Sequence, residues 1–413
     1  MVPMNRGQGR VTAPDHSSDH SSDHYSPTRE AEEPLLLDDI EIDSDMDAHG
    51  DESLEDLCHF RSRGGARTLY HQPLSESDTL NSTQSLYDTD VEYVTLHDRR
   101  YCENYNMPND DAEQGRMQLL NSVLLDILDG HLTLAPLRNP TKILDIGTGT
   151  GDWTIAMAEM YPNTNCIGTD IAKIQPTSVP SNVNFEIDDA EYEGGWTWPE
   201  DTFNLVHLRN MAGAFRDWSH IYREAFRTIK PGGYIEVIDS YVSQLSTLFL
   251  HDPRACRWFK TVSEAAKKAG RHISTDHLET SVLAAAGFTD ISVTTKKIPL
   301  GSWPSDSKES KTSAHFHRVL RDGIEAISLR LFTEQLEMQP EAVRALCKDV
   351  SRSLRALIQD PQKSKGLSMD VQVLVARKPG GGELELPEDE NAMGDSMRTV
   401  PNDYSKGETV PLR

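Results

Sequence analysis

Three glycines at alternate positions, Gly147, Gly149 and Gly151, follow the apolar start of "KILDIGTGTGDWTIAMAEMYP". A turn this bare between a strand and a helix lets backbone N–H groups and the positive end of the helix approach a ligand closely. Carboxylates stand on both sides of it. Asp145 lies two residues before Gly147, and Asp170 ends the next apolar run, "NCIGTD". The spacing D-x-G-x-G-x-G differs from the G-x-G-x-x-G of dinucleotide sites, and no Lys-Ser/Thr pair follows to serve a nucleoside triphosphate. A carboxylate at the end of the second strand suits a ribose diol, since it accepts from both hydroxyls.

The elements that must position these residues alternate along the chain. "KILDIG", "NCIGTD", "VNFEIDD", "FNLVHLR" and "KPGGYIEVID" read as strands, and "DWTIAMAEMY" and "WSHIYREAFRTI" as helices between them. Such alternation predicts βαβ units and a parallel sheet with helices on both faces. Further on, "DPRACRWFKTVSEAAKKAG", "TDHLETSVLAAAG", "SAHFHRVLRDGIEAISLRLFTEQL" and "PEAVRALCKDVSRSLRALIQD" read as helices. "FTDISVTTKKIPL" and "MDVQVLVARK" read as closing strands. Upstream, Met117, Leu120, Leu124, Ile127 and Leu128 recur at helical spacing. Asn109 is the expected cap, Asp110, Asp111 and Glu113 suit the positive end, and Gly130 is a stop. Tyr101 and Tyr105, with this helix, read either as a lid or as part of a docked helix.

The chain has 413 residues and a net charge of −25. Residues 1–95 hold 21 Asp/Glu against 6 Lys/Arg, and residues 379–413 hold 8 against 3. Both ends are poor in apolar residues, so burial cannot offset ordering entropy, and both are expected to be disordered. The ordered domain is expected over 96–378, with a helical cap at 96–138 and the sheet core at 139–378. "DHSSDHSSDHY" places His16, His20 and His24 four apart, but Ser and Asp are weak helix formers, so it reads as low-complexity sequence rather than a metal site. Ser44 and Ser53 precede acids and are candidate phosphorylation sites.

An acidic chain without a basic stripe is a poor direct binder of nucleic acid. The five cysteines are scattered without a CxxC pair, which indicates neither a disulfide framework nor a metal site. The first residues lack an apolar targeting segment, and no run approaches the ~18 residues of a membrane span. A soluble, intracellular, cytoplasmic protein is expected.

Taken in order, "ILDIGTGTGDWTIAMAEMYP", "GTDIAKIQP", "FEIDDAE", "HLRNMAGAFRDW" and "KPGGYIE" resemble the class I, seven-β-strand S-adenosylmethionine-dependent methyltransferases, and among them the fungal LaeA-like family. The resemblance covers about residues 99–378. It implies a Rossmann-like, doubly wound, mostly parallel seven-stranded sheet. Gly147, Gly149 and Gly151 would line the methionine part of S-adenosylmethionine, and Asp145 would orient that loop. Asp170 would take the ribose hydroxyls. Asp189 would accept from the adenine amino group, beside the Ala190 N–H, with Asp188 as a rival one residue away. His207 is the first candidate for a base, Glu236 and Asp239 the next; the other reading of His207 is a core histidine that holds a loop. Trp196 and Trp198 would either wall the ligand or serve packing.

The resemblance departs at Thr148, where LaeA itself has cysteine, at "HLRNMAGAF", and at the acidic Asp152. It implies methyl transfer in fungal secondary metabolism, with a small-molecule acceptor. The alternative is a LaeA-like nuclear regulator with protein partners at the acidic N-terminal region.

Overall fold

The computed structural model describes residues 91–240 and 252–380. His16, His20, His24, Ser44, Ser53 and nearly all of both acidic ends lie outside the described residues. Order starts earlier than expected, because strand β1 (Tyr93–Leu96) begins inside the 1–95 stretch. It forms an antiparallel hairpin with β2 (Arg99–Cys102), so the cap opens with strands rather than a helix. The two turn residues, His97 and Asp98, have φ of 54° and 64°. Positive φ at both central positions gives a two-residue hairpin the twist of its strands.

Helix α1 (Asp111–Ile127) is capped by Asp110, whose carboxylate accepts the Glu113 N–H at 3.1 Å. Asn109, expected in that role, instead accepts from Arg100 Nε at 2.7 Å. Arg99 Nη2 donates to Asp110 at 2.9 Å. Two hairpin arginines, Arg99 and Arg100, thus tie the hairpin to the residues that open the helix through three side-chain hydrogen bonds.

The core continues as β3 (Lys142–Ile146), α2 (Asp152–Met160), β4 (Asn165–Asp170), β5 (Val183–Ile187), β6 (Phe203–Arg209), α3 (Trp218–Thr228) and β7 (Ile229–Ser240). After it come α4 (Pro253–Lys268), α5 (Thr280–Ala285), β8 (Thr289–Pro299), α6 (Ser307–Leu336), α7 (Pro340–Gln359), the short α8 (Pro361–Ser364) and β9 (Ser368–Arg377). The main sheet runs β5–β4–β3–β6–β7–β9–β8. The first five strands pair in parallel, and β9 lies antiparallel between β7 and β8. This is the Rossmann-like, mostly parallel seven-stranded sheet expected.

Strand side chains alternate between faces, and each face has its own core. Ile143, Cys166 and Leu205 point to one, where Leu124 of α1, Trp153 and Met157 of α2, Trp258 of α4 and Phe316 of α6 pack. Leu144, Ile167, Val206 and Leu208 point to the other, against Ile221, Tyr222 and Ala225 of α3. Burial on both faces explains why β3 and β6 read as nearly continuous apolar runs. The buried polar residues in those strands are Asp145 and His207.

Candidate functional site

From β3 the chain passes to β4 on one side, and it later returns to β6 on the other. A crevice at such a switch point is where open α/β sheets bind ligands. Here the strand ends, the glycine loop, α1 and residues 102–109 line a cavity of about 510 Å³. Gly147, Gly149 and Gly151 all have positive φ, at 69°, 58° and 82°. A Cβ on Gly151 would also stand 2.3 Å from Cζ of Phe185, so backbone and ring together exclude a side chain there. Gly151, expected beside the other two against the ligand, does not line the cavity; it is the cap position of α2.

Asp170 lines the cavity, and it also holds the loop. One carboxylate oxygen accepts the Gly149 N–H at 2.8 Å and the other the Ala172 N–H at 2.9 Å. The Ile171 N–H also contributes to holding it, which still leaves the carboxylate acceptor capacity for a ligand hydroxyl. Burial pushes its carboxyl up to about 6. Gln175, which sequence reasoning did not single out, fixes the same turn by donating to the Gly149 carbonyl at 2.7 Å.

At the other named contact, Asp188, Asp189 and Ala190 all line the cavity. Asp189 is exposed, and its side chain accepts the Glu191 N–H at 2.9 Å. Asp188 is half-buried, and burial raises its carboxyl. Trp196 and Trp198 do not line the cavity. Trp196 donates to the Ala190 carbonyl at 3.0 Å and so supports that segment from behind. Trp198 packs edge-on against Phe203.

The base assignment is corrected. Pairing places Asp145, His207 and Glu236 side by side across β3, β6 and β7. His207 and Glu236 are fully buried and neither lines the cavity. Asp145 Oδ2 accepts from the hydroxyls of Thr148 at 2.7 Å and Thr154 at 2.8 Å. Its Oδ1 meets His207 Nδ1 at 2.8 Å, which assigns the proton to Nδ1. His207 Nε2 then faces Glu236 Oε2 at 3.8 Å, too far for a hydrogen bond. Burial raises the Glu236 carboxyl, and its Oε1 accepts the Leu134 N–H at 2.6 Å. The row fastens the floor of the glycine loop, since Asp145 grips Thr148 inside it. Asp239 is likewise buried, 3.2 Å from His277 Nε2, and does not line the cavity.

Helix α1 forms a wall, with Met117, Leu120 and Asn121 on the cavity and Leu119, Val123 and Leu124 in the core. Tyr105 lines the cavity. Tyr101 does not, and burial pushes its phenol up to about 12. Arg330 of α6, also unforeseen, donates to the carbonyls of Cys102 at 2.7 Å, Glu103 at 2.5 Å and Tyr105 at 3.1 Å. Among the described residues no group of three or more His, Cys, Asp or Glu is placed to hold a metal ion.

The donor set fits S-adenosylmethionine. A glycine loop borders the cavity, a strand-end carboxylate has free lone pairs, and an Asp-Asp-Ala segment lies beyond them. Bound there, the cofactor would supply an activated methyl group. Residues 122–293 match the family model described as a methyltransferase domain. The chain is 34% identical over 311 residues to methyltransferase pytC of Aspergillus terreus, covering 73% of this chain and 93% of that protein. It is 31% identical over 258 residues to secondary metabolism regulator LAE1 of Cochliobolus heterostrophus, covering 60% of this chain and 84% of that one. It is also 29% identical over 250 residues to secondary metabolism regulator laeA of Aspergillus flavus, covering 60% and 67%. With its fold, its glycine loop and these relatives, the chain belongs to the LaeA-like family of class I S-adenosylmethionine-dependent methyltransferases.

Proposed function

We propose that this methyltransferase acts in fungal secondary metabolism and methylates a small-molecule intermediate. The observation that carries the reading is the cavity itself. It is large enough for a cofactor with a compact acceptor, and its walls are side chains of this chain. Asp170 holds the ribose, Gly147 and Gly149 admit the methionine part, and Asp189 with Ala190 meets the adenine. No histidine lines the cavity among the described residues. The chain's contribution is then positioning and exclusion of water, which suffice when the donor is already activated. The likeness to pytC, over nearly the whole of a protein named as a methyltransferase, supports methyl transfer as the activity.

A second reading is regulatory, and the likeness to LAE1 and laeA favours it. It would place the protein in the nucleus, with protein partners, whereas the biosynthetic reading places it in the cytoplasm. Incubating the purified full-length chain with methyl-labelled cofactor and a fractionated fungal extract separates the two. Label in the small-molecule fraction supports biosynthesis. Label confined to protein, with none in small molecules, supports the regulator and overturns the first reading.

A further inference from the structure

We propose that Arg209 is the anion-binding residue of the cavity and takes a carboxylate of the bound ligand. Three guanidinium groups line the cavity: Arg116, Arg209 and Arg271. Two are already matched. Arg116 makes a two-pronged contact with Glu113 at 2.9 and 2.6 Å. Arg271 pairs with Glu191 at 2.8 Å. Arg209 has one hydrogen bond, from Nη2 to the Asn121 amide oxygen at 2.9 Å, and no ion pair among the described residues. The acids whose charge reaches it are Asp145, Asp152 and Glu236. Asp145 is committed to His207, Thr148 and Thr154, Glu236 to the Leu134 N–H, and Asp152 accepts from the Thr150 hydroxyl and makes no ion pair with Arg209.

A guanidinium carries five N–H donors in a planar fork that matches a carboxylate. Arg209 is half-buried, and holding a guanidinium partly out of water with most donors unused is costly unless a partner arrives. Burial accordingly pulls the pKa of Arg209 below its ordinary value. Its place is informative too. It is the last residue of β6, on the face that carries Asp145 and His207. Two residues on, Met211 lies where a Cβ on Gly147 would fall, 2.5 Å from Sδ. The free cation therefore sits by the start of the glycine loop.

Two sources could supply the carboxylate: the amino-acid part of the cofactor, or an acidic acceptor beside it. The inference rests on the cofactor reading above, so the test begins with calorimetry of the wild-type full-length chain. S-adenosylhomocysteine and its decarboxylated analogue are titrated into wild type, Arg209→Met and Arg209→Lys. Benzoate is then titrated into each protein saturated with S-adenosylhomocysteine.

If the carboxylate is the cofactor's, wild type prefers S-adenosylhomocysteine over the decarboxylated compound by roughly ten- to hundredfold. Arg209→Met abolishes that preference, and Arg209→Lys keeps part of it. If the carboxylate is the acceptor's, Arg209→Met leaves cofactor binding intact and loses benzoate binding. Ligand-free Arg209→Met should melt no lower than wild type, because a half-buried charge without an ion-pair partner has been removed. A variant that keeps the wild-type preference and the wild-type benzoate response overturns the proposal alone. Wild type that binds no S-adenosylhomocysteine overturns it together with the cofactor reading.

Discussion

The imidazole of His207 lies flat against the indole of Trp153, with ring centroids 3.6 Å apart and planes 3° from parallel. Trp153 is itself pinned, because its Nε1 donates to the Leu132 carbonyl at 2.7 Å. The histidine is thus clamped between an aromatic face and two strand carboxylates, with no open side toward a substrate.

A structural role has a measurable signature. His207→Asn should lower stability by about 2–3 kcal/mol, as loss of a buried hydrogen-bonded and stacked group does. Cofactor affinity should fall along with it, since the Asp145–Thr148 grip loosens. Thermal melting and calorimetry on one sample decide the matter. A variant with an unchanged melting point but no turnover would restore His207 as a base.

Asp170 carries two duties at once. Asp170→Ala should weaken cofactor binding by roughly ten-fold to several hundred-fold, from two lost charge-assisted bonds. It should also lower the melting point, because the N–H groups of Gly149 and Ala172 lose their acceptors. If affinity survives while the melting point drops, the carboxylate only shapes the loop and the ribose assignment fails.

The raised carboxyl of Asp170 gives a pH dependence of opposite sign for stability and for binding. A carboxyl whose folded pKa lies above its unfolded value holds its proton more tightly when folded. Stability of the ligand-free protein should therefore decline as pH rises from about 4 to about 6, by at most about 3 kcal/mol, and stay level above that. Ribose hydroxyls donate to the ionised form, so cofactor affinity should rise between about pH 5 and about pH 7. Asp170→Asn should remove the affinity trend and reduce the stability trend, the remainder of which comes from the raised carboxyls of Asp188, Glu186 and Glu236. That comparison isolates Asp170 from Asp110 and Glu224, whose pKa values move the other way. An affinity that is flat with pH in wild type counts against the assignment.

Arg330 secures the cavity wall from a helix over two hundred residues away. Arg330→Met leaves the carbonyls of Cys102, Glu103 and Tyr105 without their shared donor. It should weaken cofactor binding by about tenfold, at 1.4 kcal/mol per decade, with Arg330→Lys recovering part of it. Faster hydrogen exchange at residues 102–105 in Arg330→Met would locate the loss. Unchanged exchange there would show that the turn holds itself.

Much of the fold was legible because its signals are local. The runs around Ile143 and Ile167 end in glycine or aspartate, and the helices between them have apolar stripes. Less was legible where residues meet only through pairing. Asp145, His207 and Glu236 lie far apart in the chain, and only strand register puts them in one row. Without register, a histidine near a strand end reads as well for a base as for a brace. Arg330 sits mid-helix with nothing nearby to mark it. The first hairpin was missed because its turn uses His97 and Asp98 rather than an Asn-Gly or Asp-Gly pair.

The position of β9 bears on how this protein comes off the ribosome. Its residues, Ser368–Arg377, are the last strand of the main sheet to be synthesised, yet they lie inside that sheet, between β7 and β8. Until they emerge, β7 has no partner on one side, and β8 has no neighbour through which to join the sheet. The nascent chain must therefore wait with an open, apolar strand edge, the kind that recruits strands from other chains. A stop codon shortly before Ser368 would remove an interior strand rather than trim a tail, leaving a template for aggregation in place of a shortened enzyme.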